Sequence, residues 1–379
     1  MKFQLSTLRL PQLNSHFLLK LVCGCWLVTK LICYKLWLAD RFFPLVPVHD
    51  GLQLMPPIVH SLLFAVSLVC MLLVWIFPNR KIAVILLLSE LLSCLLDQNR
   101  WQPWEYQFIC LLGAFVFITD EKKRVQAWQI ILTGIYFFSG LSKCSSYFIH
   151  NVWNYLFLKE LAGIFDAGPW LLRAGYSIPL LEMLGAVALF FKPTRKTAVW
   201  FLCAMHLFNL LVLGPAGINI NAVIWPWNIL MPFLLAGLFY NVPLQLFERP
   251  ALKPVYTLLM LLAWWILPWL QLAGLWDAYL SGVLYSGRNQ QLYICTNDLG
   301  ASYRLSNCVT IAGKDMDCKT AISTYKWGMQ EMNTGPNPEP RVFKAIAASW
   351  NKTYPKAINR FYLFRAGFVS ETRPLFPDK

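Results

Sequence analysis

The sequence predicts an all-α polytopic membrane bundle over residues 1–275, carrying a small extracytoplasmic α+β domain at residues 276–379. Three observations predict it. Hydrophobic residues make up 57% of the chain and charged residues 14%, with a mean hydropathy of +0.49. Apolar runs of roughly 16 to 22 residues recur, close to the ~20 a spanning helix needs. After residue 275 these runs give way to polar, turn-rich and strand-like segments.

Taken in order, about nine spans are expected, near 17–39, 57–77, 81–97, 104–119, 125–143, 175–191, 196–213, 222–240 and 255–275. The N-terminus lacks the short apolar core and small-residue cleavage site of a removable signal, so the first span is expected to be retained. That span carries Lys20, Lys30 and Lys35, which suit a bundle-facing or amphipathic helix. The 33 Lys+Arg against 19 Asp+Glu do not point to nucleic acid. Arg80-Lys81, Lys122-Lys123-Arg124, Lys192 with Arg195-Lys196, and Arg249 with Lys253 fall on every second connection. By the positive-inside rule this places the N-terminus in the cytoplasm and the tail outside, with the lipid bilayer as the partner.

In the tail, Gln291–Cys295 reads as a strand, Asn333–Pro340 as a loop and Arg341–Trp350 as a short helix. The eleven cysteines contain no C-x-x-C pair, so no metal knuckle or thioredoxin-like relay is indicated. A tail disulfide between Cys308 and Cys318 is expected, with Cys295 a rival partner for either.

The polar residues fall in one layer. Lys143 closes the small-residue turn Ser139-Gly-Leu-Ser142 at the outer end of the fifth span. Glu182 and His206 each lie about seven residues in from the outer side, roughly 10 Å deep at ~1.5 Å per residue. Asn209 is one turn above His206. Asp97 and Arg100 belong to one outer loop, and Asn221, Trp225 and Trp227 to another. Each has an ordinary explanation: lysine snorkels, histidine sits satisfied in cores, and tryptophans form interfacial belts. Their coincidence at one level points instead to a shared outer cavity, since an unpaired intramembrane charge is costly. Glu90, in mid-span, is the main exception to this layering.

Tyr136-Phe-Phe-Ser-Gly-Leu-Ser-Lys143, with Pro179-Leu-Leu-Glu-Met-Leu-Gly185, Pro193-Thr-Arg195 and His206-Leu-Phe-Asn209, resembles the horizontally transferred transmembrane (HTTM) and vitamin K-dependent gamma-carboxylase-like superfamily over roughly residues 95–240. Leu96–Trp104 and Asn219–Asn228 look like a bacterial subgroup, which implies a bacterial inner membrane. The resemblance implies an outward tail and a quinone- or lipid-linked enzyme, a carboxylase-like lyase or quinone-linked oxidoreductase. Lys143 would be general base toward a reduced quinone, His206 a proton shuttle supported by Asn209, and Glu182 a tuning group. Arg100 with Asp97, and Asn221, Trp225 and Trp227, would contact substrate; no metal is implied. The tail is shorter than the animal enzyme's lumenal region, so no protein substrate is implied. Two other classes fit the residues: a DoxX/MauE-like redox membrane protein and a non-catalytic scaffold or transport component.

Overall fold

The computed structural model describes residues 14–242, 255–283, 286, 289–313, 315–365 and 371–376. Ten longer helices occupy the described part of the bundle. They are α1 (Ser15–Ile32), α2 (Pro57–Ile76), α3 (Arg80–Leu96), α4 (Pro103–Phe117), α5 (Glu121–Lys143), α6 (Phe148–Leu161), α7 (Pro169–Ala188), α8 (Lys192–Leu213), α9 (Ala222–Tyr240) and α10 (Val255–Leu272). α6 is wound as a π-helix, and α7 is interrupted at Gly175–Tyr176. The basic pair Arg249 and Lys253 lies outside the described residues.

Six of these helices, α1, α2, α7, α8, α9 and α10, are long and apolar enough to cross a membrane. By length and composition the chain is a multi-pass membrane protein, with fewer such helices than the nine expected. The remaining three runs fall in α3, of 17 residues, α4, of 15, and α5, which opens on Glu121-Lys-Lys-Arg124. Packing accounts for the character of α4 and α5. α4 buries all but three of its residues, and α5 buries Gln126, Gln129 and Thr133 along with its apolar face. A helix enclosed by other helices needs no lipid-facing surface, so it tolerates polar residues with partners.

Of the first-span lysines, Lys30 resolves the same way, while Lys35 is exposed. Lys30 is fully buried, 2.5 Å from Glu90 Oε2 and 3.1 Å from the centroid of the Trp37 ring. Glu90 is thus no isolated charge. Beside it, Glu105 Oε2 accepts the Trp26 Nε1–H at 2.7 Å.

The tail is a five-stranded antiparallel sheet, β1 (Gln291–Thr296), β2 (Val309–Ile311), β3 (Thr320–Ser323), β4 (Asn359–Arg365) and β5 (Glu371–Pro374), in the order β2-β3-β1-β4-β5. Helices α11 (Leu299–Arg304), α12 (Thr324–Met332) and α13 (Pro340–Thr353) accompany it. α13 buries Val342, Phe343, Ile346, Ala347 and Trp350, an i, i+1, i+4, i+5, i+8 stripe.

The expected Cys308–Cys318 pairing is corrected: Cys295 is bonded to Cys318, with Cα atoms 6.0 Å apart. Cys295 stands on central strand β1 next to β3, and the loop leading into β3 delivers Cys318 to it. Cys308 is buried instead in the main core, where its Sγ–H meets Gln330 Oε1 at 3.1 Å.

The tail docks on the α3–α4 loop. Gln102 Nε2 donates to Gly335 O at 3.0 Å, Asn337 N to Asn99 Oδ1 at 3.2 Å, and Arg341 Nε to Gln98 Oε1 at 2.7 Å. Glu331 also accepts the backbone N–H groups of Phe42 and Phe43. The proline-rich segment 333–340 therefore contributes, with Glu331 and Arg341 on either side of it, to the contact between tail and bundle.

Candidate functional site

Glycine sets the site's geometry. A Cβ at Gly140 would lie 2.7 Å from both Pro179 O and Met183 Cγ. Only a residue without a side chain lets α5 and α7 approach this closely, the small-residue packing familiar in membrane helices. The contact places Glu182, next to Met183, against Lys143, in the last turn of α5. Lys143 Nζ donates to Ser139 Oγ at 2.8 Å and to Glu182 Oε2 at 2.7 Å. The two side chains are 17% and 4% exposed. The pair is nearly dry, with one side of the ammonium open to a cavity. The helix C-terminus also favours a cation at this position.

Across the cavity stands a second polar chain. Asn228 Nδ2 donates to Ile224 O at 2.9 Å, which turns Asn228 Oδ1 toward His206 Nδ1 at 2.8 Å. Oδ1 accepts only, so the network assigns the proton to Nδ1 and leaves Nε2 as acceptor for the Tyr136 hydroxyl at 2.7 Å. The histidine orientation is thus fixed from a backbone carbonyl outward. Trp227 meets the imidazole edge-on, with ring centroids 5.3 Å apart, and donates its own N–H to Gln107 Oε1.

Lys143, Glu182, His206, Tyr136, Asn209, Asn228 and Trp227 all line one cavity of about 120 Å³ among α5, α6, α7, α8 and α9. The rest of its wall is largely apolar, including Ile135, Leu156, Phe157, Ile178 and Leu213. An apolar void of ~150 Å³ admits one six-membered aromatic ring, so this space approaches that of a single ring. α6 forms one side, and its Phe157 stacks on Phe208 of α8 with centroids 5.8 Å apart. Among the described residues no three metal-ligating side chains converge here or elsewhere.

Four residues expected to contact substrate stand elsewhere. Arg100 is fully buried and spends its guanidinium on the structure: Nε donates to Leu36 O at 3.1 Å, Nη1 to Ser93 O at 2.9 Å, and Nη2 to Trp37 O at 2.9 Å. His60 Nδ1 is a further partner of Nη2 at 2.9 Å. Asp97, also fully buried, accepts from Val46 N, Asn99 N and Arg41. These two groups tie the α3–α4 loop to the segment after α1, and the loop does not line the Lys143 cavity. Trp225 bonds Leu213 O at 3.1 Å and packs in a small apolar cluster with Val212 and Leu213. Asn221 lines a separate outer cavity. Its φ of 51°, like the 53° of Asn219, is left-handed, a conformation asparagine tolerates better than most residues. Backbone geometry therefore accounts for both asparagines.

Two members of the site carried no separate signal in sequence reasoning. Tyr136 opened the Tyr136–Lys143 segment, and Asn228 closed the Asn219–Asn228 segment. A buried histidine needs a partner for each ring nitrogen, and that requirement is the signal that could have singled them out.

No family model, curated protein or solved structure matches the chain.

Proposed function

We propose that the chain is a membrane enzyme that binds the head of an apolar ring compound, of which a reduced quinone is the best chemical fit, and moves a proton at Lys143. The observation that carries the reading is the single cavity in which a Lys143–Glu182 ion pair faces a Tyr136–His206–Asn228 hydrogen-bond chain across apolar walls. Glu182 Oε2 can take the ammonium proton across their 2.7 Å hydrogen bond and leave a free amine as general base. Transfer in the reverse direction restores the pair. A charge pair in an apolar site can neutralise itself this way without an external partner. His206, held by Asn228, orients the Tyr136 hydroxyl toward the same space, and Trp227 offers a ring face. When bound, a reduced quinone would supply an ionisable ring hydroxyl and reducing equivalents.

The resemblance to the carboxylase-like superfamily supports this reading, as do the apolar walls and the ring-sized space. The test is absorbance titration of a short-chain hydroquinone with purified protein. Bound wild type should shift phenol ionisation to lower pH, and Lys143→Met should abolish the shift. Lys143→Arg should not restore it, because a guanidinium does not give up its proton. Equal shifts in all three proteins would reject the assignment.

We propose further that α3, α4 and α5 also cross the bilayer, giving nine spans with the N-terminus cytoplasmic and the tail outside. The alternating basic loops support this orientation, and so does the Cys295–Cys318 bond, since disulfides persist in oxidising compartments. Exposed Lys356 offers a test as Lys356→Cys. An impermeant maleimide should label it in intact cells above the parent protein. Labelling only after lysis would reverse the topology.

A further inference from the structure

Between tail and bundle lies a second, larger cavity of about 260 Å³, separated from the Lys143 cavity by Val152 of α6 and by Ile224, which line both. Its chemistry differs from that of the inner space. Among the described residues its lining carries no charged side chain and combines amides, hydroxyls and aromatic rings with a few apolar side chains such as Val152, Ile224 and Met329. Burial holds the Tyr147 and Tyr325 phenols above their ordinary range, so they too stay neutral near neutral pH.

Three of the lining residues carry a buried oxygen with no hydrogen-bond partner among the described residues: Asn289 Oδ1, Gln290 Oε1 and Thr334 Oγ1. Asn289 is oriented by its own Nδ2, which donates to Val283 O at 3.2 Å and leaves Oδ1 as a dedicated acceptor. Thr334 is 3% exposed, in the segment that docks the tail on the bundle. Buried acceptors are rarely left unpaired, and such a cluster marks a place where an absent donor belongs. The complement is a neutral molecule with several hydroxyl donors.

Aromatic side chains supply the rest. Trp104, Tyr147 and Tyr325 line the same cavity, and the negative faces of such rings attract polarised C–H groups. The space exceeds the ~150 Å³ that admits a bare six-membered ring, which leaves room for hydroxyl substituents. The lack of charge among the described lining residues disfavours phosphates, carboxylates and free amino acids.

We infer that this outer cavity is a binding site for a neutral polyhydroxylated ring, one sugar unit, recognised by the Asn289, Gln290 and Thr334 acceptors and an aromatic wall. The site does not depend on the role of Lys143. Its place beside the inner cavity suits it to hold a polar substrate, or the sugar part of a glycosylated one, at the mouth of the bundle.

The test is saturation-transfer NMR on the full chain in an amine-oxide detergent, which has no sugar head. The probes are methyl glucoside, N-acetylglucosamine and trialanine amide. Saturation should reach the ring protons of at least one sugar and not the peptide. Thr334→Val and Gln290→Met each remove one acceptor with little change of shape and should weaken sugar binding about five- to tenfold, the worth of one hydrogen bond. Unchanged unfolding midpoints and an intact Cys295–Cys318 bond would show that both variants fold. Binding of the peptide alone, no binding of either sugar, or undiminished wild-type affinity in both variants overturns the proposal.

Discussion

The sharpest consequence of the Lys143–Glu182 contact is energetic coupling between two residues 39 positions apart. Lys143→Met leaves a carboxylate that is 4% exposed and has lost its counter-charge. Glu182→Leu leaves an ammonium with Ser139 Oγ but no carboxylate. Removing one partner of a buried pair costs about 3–5 kcal/mol. The 17% exposure of Lys143 admits some water, and a stranded group can neutralise itself, so about 2–3 kcal/mol per single variant is the better figure. The double variant strands no charge and fills the space with apolar atoms, at a cost of about 1 kcal/mol or less. The two single losses then exceed the double loss by at least about 3 kcal/mol, far above the ~0.5 kcal/mol scatter expected for independent sites. Unfolding of the four proteins in mixed detergent, followed by tryptophan fluorescence, measures the cycle. Additive losses would mean that the two side chains do not meet, and the shared-site argument would fall with them.

Other outcomes follow from the same structure. Gly140→Val should separate α5 from α7, lower stability by about 1–3 kcal/mol through overpacking, and weaken ring-ligand binding; full binding in this variant would contradict the close approach. Arg100→Met should cost about 3–5 kcal/mol in the unfolding assay by orphaning the carbonyls of Leu36, Ser93 and Trp37. It should leave the affinity of folded protein for a hydroquinone intact, and a selective loss of affinity would return Arg100 to the substrate site. Non-reducing peptide mapping should recover Cys295 linked to Cys318. Burial raises the Cys308 thiol above its ordinary range, so at pH 8 it is mostly protonated and should alkylate slowly until the protein unfolds. A Cys308–Cys318 peptide would refute the tail's arrangement.

Position along each helix was legible in the sequence because a helix rises by a fixed amount per residue. That is why Lys143, Glu182 and His206 could be grouped before any geometry was known. Position around the bundle was not legible. Arg100 and Asp97 share the outer level, but they turn toward the segment after α1 and become structural. The charges Lys30 and Glu90, each set in an apolar run, became intelligible only when the structure joined them in one buried ion pair. The limits of α4 and α5 as spans have the same origin, since enclosure by neighbours relaxes the apolar pattern that sequence reading relies on. By contrast α3, with Ile85, Leu88 and Leu92 exposed, is limited by its 17-residue length. Even the tail's disulfide depended on strand order: Cys308 and Cys318 are closer in sequence, while β1 beside β3 brings Cys295 nearer in space.

The central claim is that the Lys143 cavity holds an apolar ring, and the most direct measurement is the identity of what the purified protein carries. Mass spectrometry of the organic extract from detergent-solubilised wild type should show a quinone in near-stoichiometric amount. Ile178→Trp, which enlarges a side chain of the cavity wall, should purify folded but without it. Extracts with no quinone, or equal quinone in the filled variant, would contradict the account.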